Sequence, residues 1–268
     1  MSETRQSSDS ELIMLFSSIV YGPIRSRRLG VSLGMNLMPI EAKLCTFDCV
    51  YCECGWNQEV HRPSLPTREA VRQALAEQLQ AMQEEGSMPD VITFSGNGEP
   101  TLHPEFLGII QDTCSLREKY CPSAKVAVLS NSTQLGRDDV REALLLCDSR
   151  ILKLDSAIDH TMRQIDKPVN KELTVKQIID WLSIFQGDFT LQTCFLRGSN
   201  QGETIDNTTS EELKAWYEIV DYLHPKQVMI YVIDRATPLK TLEKISAEQM
   251  EEIAAPLRAK GIDVIVSV

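Results

Sequence analysis

Short apolar runs alternate with amphipathic helical patterns along most of this chain, and this alternation constrains the fold more than any other feature. Residues 67–85, for example, place Val71, Leu75, Leu79 and Met82 on one helical face. Repeated strand–helix order is typical of a parallel sheet covered by helices. The predicted strands are residues 30–38, 91–96, 126–130, 151–155, 189–195 and 228–233, with a last strand at 262–268. The predicted helices are residues 67–85, 104–116, 138–146, 173–185, 210–223 and 246–260.

No linker rich in glycine, serine or proline divides these elements. We therefore expect an α/β fold in one domain, a partial (β/α)6 TIM-like barrel spanning residues 1–268. Its core is predicted at about residues 20–238, after a polar N-terminal segment (1–15) and before a C-terminal helix and strand (239–268). In such folds the chemistry lies in the loops at the carboxyl ends of the strands.

Three cysteines follow the first predicted strand with the spacing C-x3-C-x2-C, at Cys45, Cys49 and Cys52. Thiolates are soft ligands that select iron–sulfur clusters, zinc or Cu(I). A four-iron cluster held by three cysteines keeps one iron without a protein ligand, and that iron could bind a small molecule. Cys54 could complete a four-sulfur zinc site, but structural zinc ligands usually come as two well-separated pairs. A disulfide would require an oxidising compartment. The spacing favours the cluster.

Polar residues also mark the ends of later strands. The segment FSGNGEPTLHP brings Gly96, Gly98 and Glu99 to the end of the second strand, and Asn131 and Asp155 end the next two. Glycines there allow close approach of a ligand, although a tight turn needs glycine as well. Lys153 and Asp155 share one face of their strand and could simply pair with each other.

Charge and composition narrow the function further. The 268 residues carry a net charge of −11, which opposes binding to nucleic-acid phosphates. The local basic group of Arg25, Arg27 and Arg28 is interpreted as a solvated turn. No apolar run is long enough to span a membrane, and the N-terminus lacks the pattern of a signal peptide. We therefore expect a cytoplasmic protein whose eight cysteines are reduced.

The cysteine spacing with Tyr51 before Cys52, followed by the Gly-Glu loop, resembles the radical S-adenosylmethionine (SAM) superfamily. The resemblance runs from Val20 to about Pro238. Within the superfamily it is closest to iron–sulfur oxidoreductases allied to the wyosine-tRNA synthases. These share an opening like YGPIRSRRLGVSLGMN, then a cysteine loop with Phe47 and Asp48, then FSGNGEPTLHP.

The resemblance implies two cofactors and a set of contacts. Cys45, Cys49 and Cys52 would hold a [4Fe–4S] cluster, whose fourth iron chelates SAM. Tyr51 would lie near the adenine, and the loop of Gly96, Asn97, Gly98 and Glu99 would receive the methionine ammonium. Asn97 stands where many relatives have the first glycine of Gly-Gly-Glu. Asn131 and Asp155 would contact the methionine or ribose.

The resemblance also implies the reaction class: reductive cleavage of SAM and removal of a hydrogen atom from a substrate. The expected electron donor is a flavodoxin or ferredoxin. The substrate could be a small molecule, a glycyl-radical protein that the enzyme activates, or tRNA, against which the charge counts. The alternative from another class is a non-catalytic iron–sulfur electron carrier, in which Cys54 would be the fourth ligand.

Overall fold

The computed structural model describes residues 15–26, 30–58 and 64–268, which form eleven strands and seven helices. The strands are β1 Val20–Ser26, β2 Gly30–Asn36, β3 Val91–Ser95, β4 Lys125–Ser130, β5 Ser149–Lys153, β6 Thr190–Cys194, β7 Leu196–Asn200, β8 Glu203–Asp206, β9 Gln227–Tyr231, β10 Glu243–Lys244 and β11 Asp263–Ser267. The helices are α1 Arg68–Glu84, α2 Phe106–Tyr120, α3 Asp138–Leu146, α4 Asp159–Ile165, α5 Val175–Ser183, α6 Ser210–Leu223 and α7 Ala247–Ala259.

The main sheet has the order β1-β2-β3-β4-β5-β6-β9-β11. All pairs from β2 onward are parallel, and only β1 pairs antiparallel, with β2. Ile24 of β1 and Ser267 of β11 line the same cavity, so the two edges of the sheet curve toward each other. The predicted partial TIM-like barrel is confirmed, including the last strand.

The burial pattern explains why the predicted helices form. In α1, Val71, Leu75, Leu79 and Met82 are the buried residues, and Thr67 caps the helix by accepting from the Ala70 amide. In α7 the Ser246 side chain caps the helix by accepting from the Gln249 amide. Apolar strand faces and helix faces together make one continuous core.

Three features were missed by the sequence prediction. Strand β1 contains Gly22 and Pro23, which interrupt the apolar alternation, and its register with β2 shifts between Tyr21 and Ile24. Helix α4 is only seven residues long, too short for a clear helical period. Strands β7, β8 and β10 form a separate small antiparallel sheet of partly exposed residues.

Some expectations concern parts of the chain outside the described residues. These include most of the polar N-terminal segment and, in the basic group, Arg27 and Arg28. Within the described ranges, no helix combines the length and apolar character needed to cross a bilayer.

Candidate functional site

The cysteine loop, residues 37–58, leaves the carboxyl end of β2 and is fastened to the glycine loop that follows β3. The Leu44 amide donates to the Asn97 carbonyl (2.9 Å), and the Leu44 carbonyl accepts from the Glu99 amide (3.1 Å). This short parallel bridge between Leu44 and Gly98 fixes the chain directly before Cys45. The first cysteine is therefore positioned by two backbone hydrogen bonds to the neighbouring strand end.

The middle of the cysteine loop is fastened to the end of α4. The Asp48 amide donates to the Asp166 carbonyl (2.8 Å), and the Val50 amide donates to the Ile165 carbonyl (2.9 Å). Asn57 closes the loop on itself, since its side-chain amide donates to the carbonyls of Cys45 (3.2 Å) and Phe47 (3.1 Å). The loop thus has a defined shape despite its lack of regular secondary structure.

Each of the three cysteines has a different polar neighbour. The Asn131 side-chain amide lies 3.4 Å from Cys45 Sγ, and Lys153 Nζ lies 2.9 Å from Cys49 Sγ. Burial raises the pKa of Cys45 to about 11, with Glu99 acting in the same direction, and burial also raises the pKa of Cys49. A hydrogen bond from the Cys54 thiol lowers the pKa of Cys52. Cys49 is thus buried and Cys45 and Cys52 are half-buried, and each lies close to a cation or a hydrogen-bond donor.

The glycines of the FSGNGEP loop are required by close packing. A Cβ on Gly98, which has φ +147°, would lie 1.8 Å from the Leu44 carbonyl oxygen. A Cβ on Gly96, with φ +101°, would lie 2.5 Å from Asn36 Oδ1. Both glycines therefore let the cysteine loop and the end of β2 approach the backbone after β3. Gly98 also lines the cavity described below.

Asn97 is fully buried, and its polar groups all have protein partners. Its side-chain oxygen accepts from the Phe16 amide (2.8 Å), and its side-chain amide donates to the carbonyls of Phe16 and Pro39 (both 2.8 Å). Its backbone amide donates to Asn36 Oδ1 (3.0 Å), and its carbonyl accepts from the Leu44 amide. In this structure Asn97 ties the segment before β1 to the glycine loop.

Glu99 joins the ends of β3 and β4. Its carboxylate accepts from the Thr101 amide and hydroxyl, the Ser130 hydroxyl (3.0 Å) and the Asn131 amide (2.6 Å). Burial raises the pKa of Glu99, and these donors oppose that effect. Asn131 extends the connection, because its side chain also donates to Thr46 Oγ1 (2.8 Å) in the cysteine loop. The predicted residues Glu99 and Asn131 are thus brought to Cys45.

Asp155 lies at the other side of the cysteine loop. Its carboxylate accepts from the Tyr51 hydroxyl and the Cys194 amide (2.9 Å), and it pairs with Lys153 (3.1 Å). The expected pairing of Lys153 with Asp155 is therefore present. The Tyr231 hydroxyl lies 3.3 Å from that of Tyr51. The predicted residues Tyr51 and Asp155 are thus in direct contact, close to Cys49.

A cavity of about 500 Å³ opens at this end of the sheet. Cys49, Cys52, Gly98 and Lys153 line it, together with the two tyrosines Tyr51 and Tyr231. Its far side is formed by residues of β1, β11 and the loop after β9. A ligand in this cavity would contact two of the three cysteines and the glycine loop at the same time.

The arrangement of side chains bears on the type of metal site. Across the described parts of the chain, no three His, Cys, Asp or Glu side chains are grouped closely enough to hold a single metal ion. A cluster makes a different demand, because each cysteine binds its own iron. Soft thiols on a fixed loop, with the Lys153 ammonium beside Cys49, fit such a cluster.

Comparison with known proteins decides the family. The model of the Radical SAM superfamily matches residues 42–205, more than half of the chain, and the match includes all three cysteines. The chain belongs to the radical SAM superfamily. It is therefore an enzyme of the radical SAM type, and membership implies SAM and an iron–sulfur cluster as cofactors.

The chain is also similar to other proteins in sequence and in fold. A UPF0026 protein of Synechocystis is 32% identical over 82% of this chain and 77% of its own length. A GTPase Obg of Brachyspira hyodysenteriae is 30% identical over 87% of this chain, which spans only 32% of that protein. The structure of TYW1 with a lysine-pyruvate adduct superposes with a TM-score of 0.63 over 85% of this chain and 73% of its own, at 15% identity, and so shares the fold.

The region around the three cysteines also contains residues that the sequence prediction did not single out. Lys43 is 3% exposed, and its ammonium lies close enough to all three cysteines that their charge raises its pKa, although burial alone would lower it. Asp166, 2% exposed, reaches Cys49 from the end of α4. Neither residue belongs to a spaced motif, so pattern alone gave no signal for them.

Proposed function

We propose that Cys45, Cys49 and Cys52 hold a [4Fe–4S] cluster with one iron open to SAM, and that the protein uses it to remove a hydrogen atom from a substrate. The observation that supports this most directly is the cavity, which Cys49 and Cys52 line together with Gly98 and Tyr51. When bound, the two cofactors supply reductive cleavage of the sulfonium and the hydrogen abstraction that follows. The chain's own residues would bind and orient the two cofactors and shield the reacting atoms from water.

The residues around the cavity suit those tasks. The backbone near Gly98 is open to close approach, and Tyr51 presents an aromatic ring whose hydroxyl is held by Asp155. Asn131 and Glu99 hold the Cys45 side of the loop. The curved sheet surrounds part of the site, which would limit access of water to reactive species. The electron would come from an external flavodoxin or ferredoxin in a reducing cytoplasm.

The decisive experiment is anaerobic reconstitution, followed by iron and sulfide counting and addition of SAM and dithionite. We expect about four iron and four sulfide per chain, a change in the cluster's spectrum on adding SAM, and formation of 5′-deoxyadenosine. An electron carrier would bind the cluster but show neither of the last two results. A colourless protein containing zinc would contradict the proposal entirely.

The resemblance of the cysteine and glycine loops to those of the wyosine-tRNA synthases makes tRNA a substrate to test, while the net charge of −11 opposes it. A salt-dependent affinity for tRNA at low ionic strength would support tRNA modification. Absence of binding at low salt would direct the search to proteins and small molecules. Incubating the reduced enzyme with lysate in deuterated water, and following deuterium into other molecules, would then identify candidates.

A further inference from the structure

Two lysine ammonium groups are buried beside the three thiols. Lys153 is 8% exposed and Lys43 is 3% exposed. Lysine is almost never fully buried without a partner, because removing its charge from water is costly. They reach the cysteines from different parts of the chain, Lys43 from the start of the cysteine loop and Lys153 from the end of β5.

The contacts of Lys153 include a cysteine directly. Its Nζ lies 2.9 Å from Cys49 Sγ, 2.6 Å from Asp166 and 3.1 Å from Asp155. It also lies over the ring of Tyr51, 4.9 Å from the centroid. The two aspartates accept from two of the three N–H groups of the ammonium, and the third N–H group points toward the sulfur. A purely structural ion pair would not need the third contact.

Lys43 is held differently. Its Nζ donates to the Gly55 carbonyl (3.0 Å) and pairs with Asp48 (3.3 Å), both in the cysteine loop. The Lys43 ammonium therefore lies inside the cysteine loop and contacts its backbone, while the Lys153 ammonium contacts a sulfur directly.

Loss of protons from three thiols leaves three negative charges in a buried loop. A cation near a ligand sulfur, or an N–H group donating to it, favours the more negative oxidation state of a bound cluster. The effect is strong in a buried site because the surrounding dielectric is low. The reduced cluster is the more negative state, so a nearby ammonium raises its reduction potential.

We propose that Lys153 and Lys43 are positioning residues that raise the reduction potential of the cluster bound by the three cysteines. This inference rests on the proposed function, since it requires the cluster. It gives both buried lysines a role: they bring the cluster within reach of a physiological one-electron carrier. Asp155 and Asp166 keep the Lys153 ammonium in contact with Cys49.

The test uses Lys153→Met and Lys43→Met in the full-length protein, reconstituted anaerobically without SAM. The midpoint potential is measured by spectroelectrochemical titration. Both variants are expected to shift to a more negative potential, with the larger shift in Lys153→Met because its ammonium contacts a sulfur. Lys153→Arg, which keeps the charge, should recover part of the shift. Lys176→Met is the matched control, because that lysine lies on the exposed face of α5 and pairs with Asp180.

Unchanged potentials in Lys153→Met and Lys43→Met with normal iron content would overturn the inference. If Lys153→Met fails to bind iron, because two buried aspartates lose their partner, Lys43→Met and Lys153→Arg still decide the question. A protein whose wild-type form binds no cluster would instead contradict the proposed function. Unchanged potentials in a cluster that still responds to SAM would leave the proposed function intact and remove only this role of the lysines.

Discussion

The two ends of the parallel sheet carry cavities of similar size but different chemistry. The cavity at the carboxyl end measures about 500 Å³, and the one at the amino end about 550 Å³. Charged residues line both. At the carboxyl end the side chains of Lys153 and Asp155 are 9% and 0% exposed, whereas at the amino end those of Lys226 and Asp188 are 43% and 58% exposed. Cavity volume therefore does not distinguish the site.

Burial of charge does distinguish it. The carboxyl end holds a lysine, two aspartates and a cysteine in mutual contact. Burying these charges lowers the stability of the fold, and such clusters are typical of functional sites. At the amino end the exposed carboxylate of Asp188 pairs with the half-exposed Lys226 and with the buried Arg150, so the acidic partner there stays in contact with water. We infer that the carboxyl end carries the chemistry and that the amino end contributes to stability.

The largest expected effect is the loss of cluster binding when cysteines at the carboxyl end, but not at the amino end, are changed to Ala. Changing Cys45, Cys49 or Cys52 to Ala should abolish cluster binding, because each sulfur would hold its own iron. Cys54→Ala should retain the cluster. Cys147→Ala is the control, since this buried thiol lies near the amino end of the sheet and donates a hydrogen bond to the Ala143 carbonyl. Iron and sulfide counting after anaerobic reconstitution gives the answer, and loss of iron in Cys54→Ala would overturn the ligand assignment.

A second comparison uses two glycines that both lie too close to a neighbouring carbonyl to accept a side chain. A Cβ at Gly98 would lie 1.8 Å from the Leu44 carbonyl oxygen, and one at Gly187, just before β6, would lie 2.3 Å from that of His224. Both have positive φ. We expect Gly98→Ala and Gly187→Ala each to destabilise the fold by about 3 kcal/mol in urea unfolding.

Only Gly98→Ala should also lower the iron content of the protein that remains folded, because it displaces the chain before Cys45. If Gly187→Ala lowers the iron content equally, the glycine loop has no special relation to the cysteines. Normal iron content in a destabilised Gly98→Ala would show that the Leu44 bridge supports the fold alone.

The sequence was sufficient for the parts of the molecule that repeat or have a fixed spacing. The main parallel strands follow from apolar runs, and the cysteine triplet and glycine loop follow from spacing. The sequence was insufficient for the contacts that depend on the closed fold. Asp166 meets Cys49 across 117 positions in the chain, and it does so from a helix too short to predict.

Asn97 shows the same limit at a single residue. Its position in the motif predicts a contact with SAM, and the structure places it against the cysteine loop and the segment before β1. Its hydrogen bonds to Phe16 and Pro39 depend on a chain segment whose path no local pattern indicates. Its contribution to cofactor binding stays a prediction, while its role in holding the segment before β1 follows from the contacts.

The smallest expected effect lies at the amino end. Asp188 accepts from Lys226 (2.9 Å) and Arg150 (2.6 Å), and these cations lower its pKa, Lys226 more strongly. A carboxylate with a lowered pKa in the folded state stabilises the fold above its unfolded pKa of about 4, and that contribution disappears as the pH falls through the folded pKa. Because the Asp188 carboxylate is itself largely exposed, and an asparagine oxygen can still accept from the buried Arg150, Asp188→Asn should cost no more than about 1 kcal/mol in urea unfolding at pH 7. The difference from wild type should be the same at pH 5 and smaller at pH 3.5, with iron content unchanged.

A loss of cluster binding in Asp188→Asn would contradict the division between the two ends, because it would link an exposed carboxylate to the chemistry at the opposite end of the sheet.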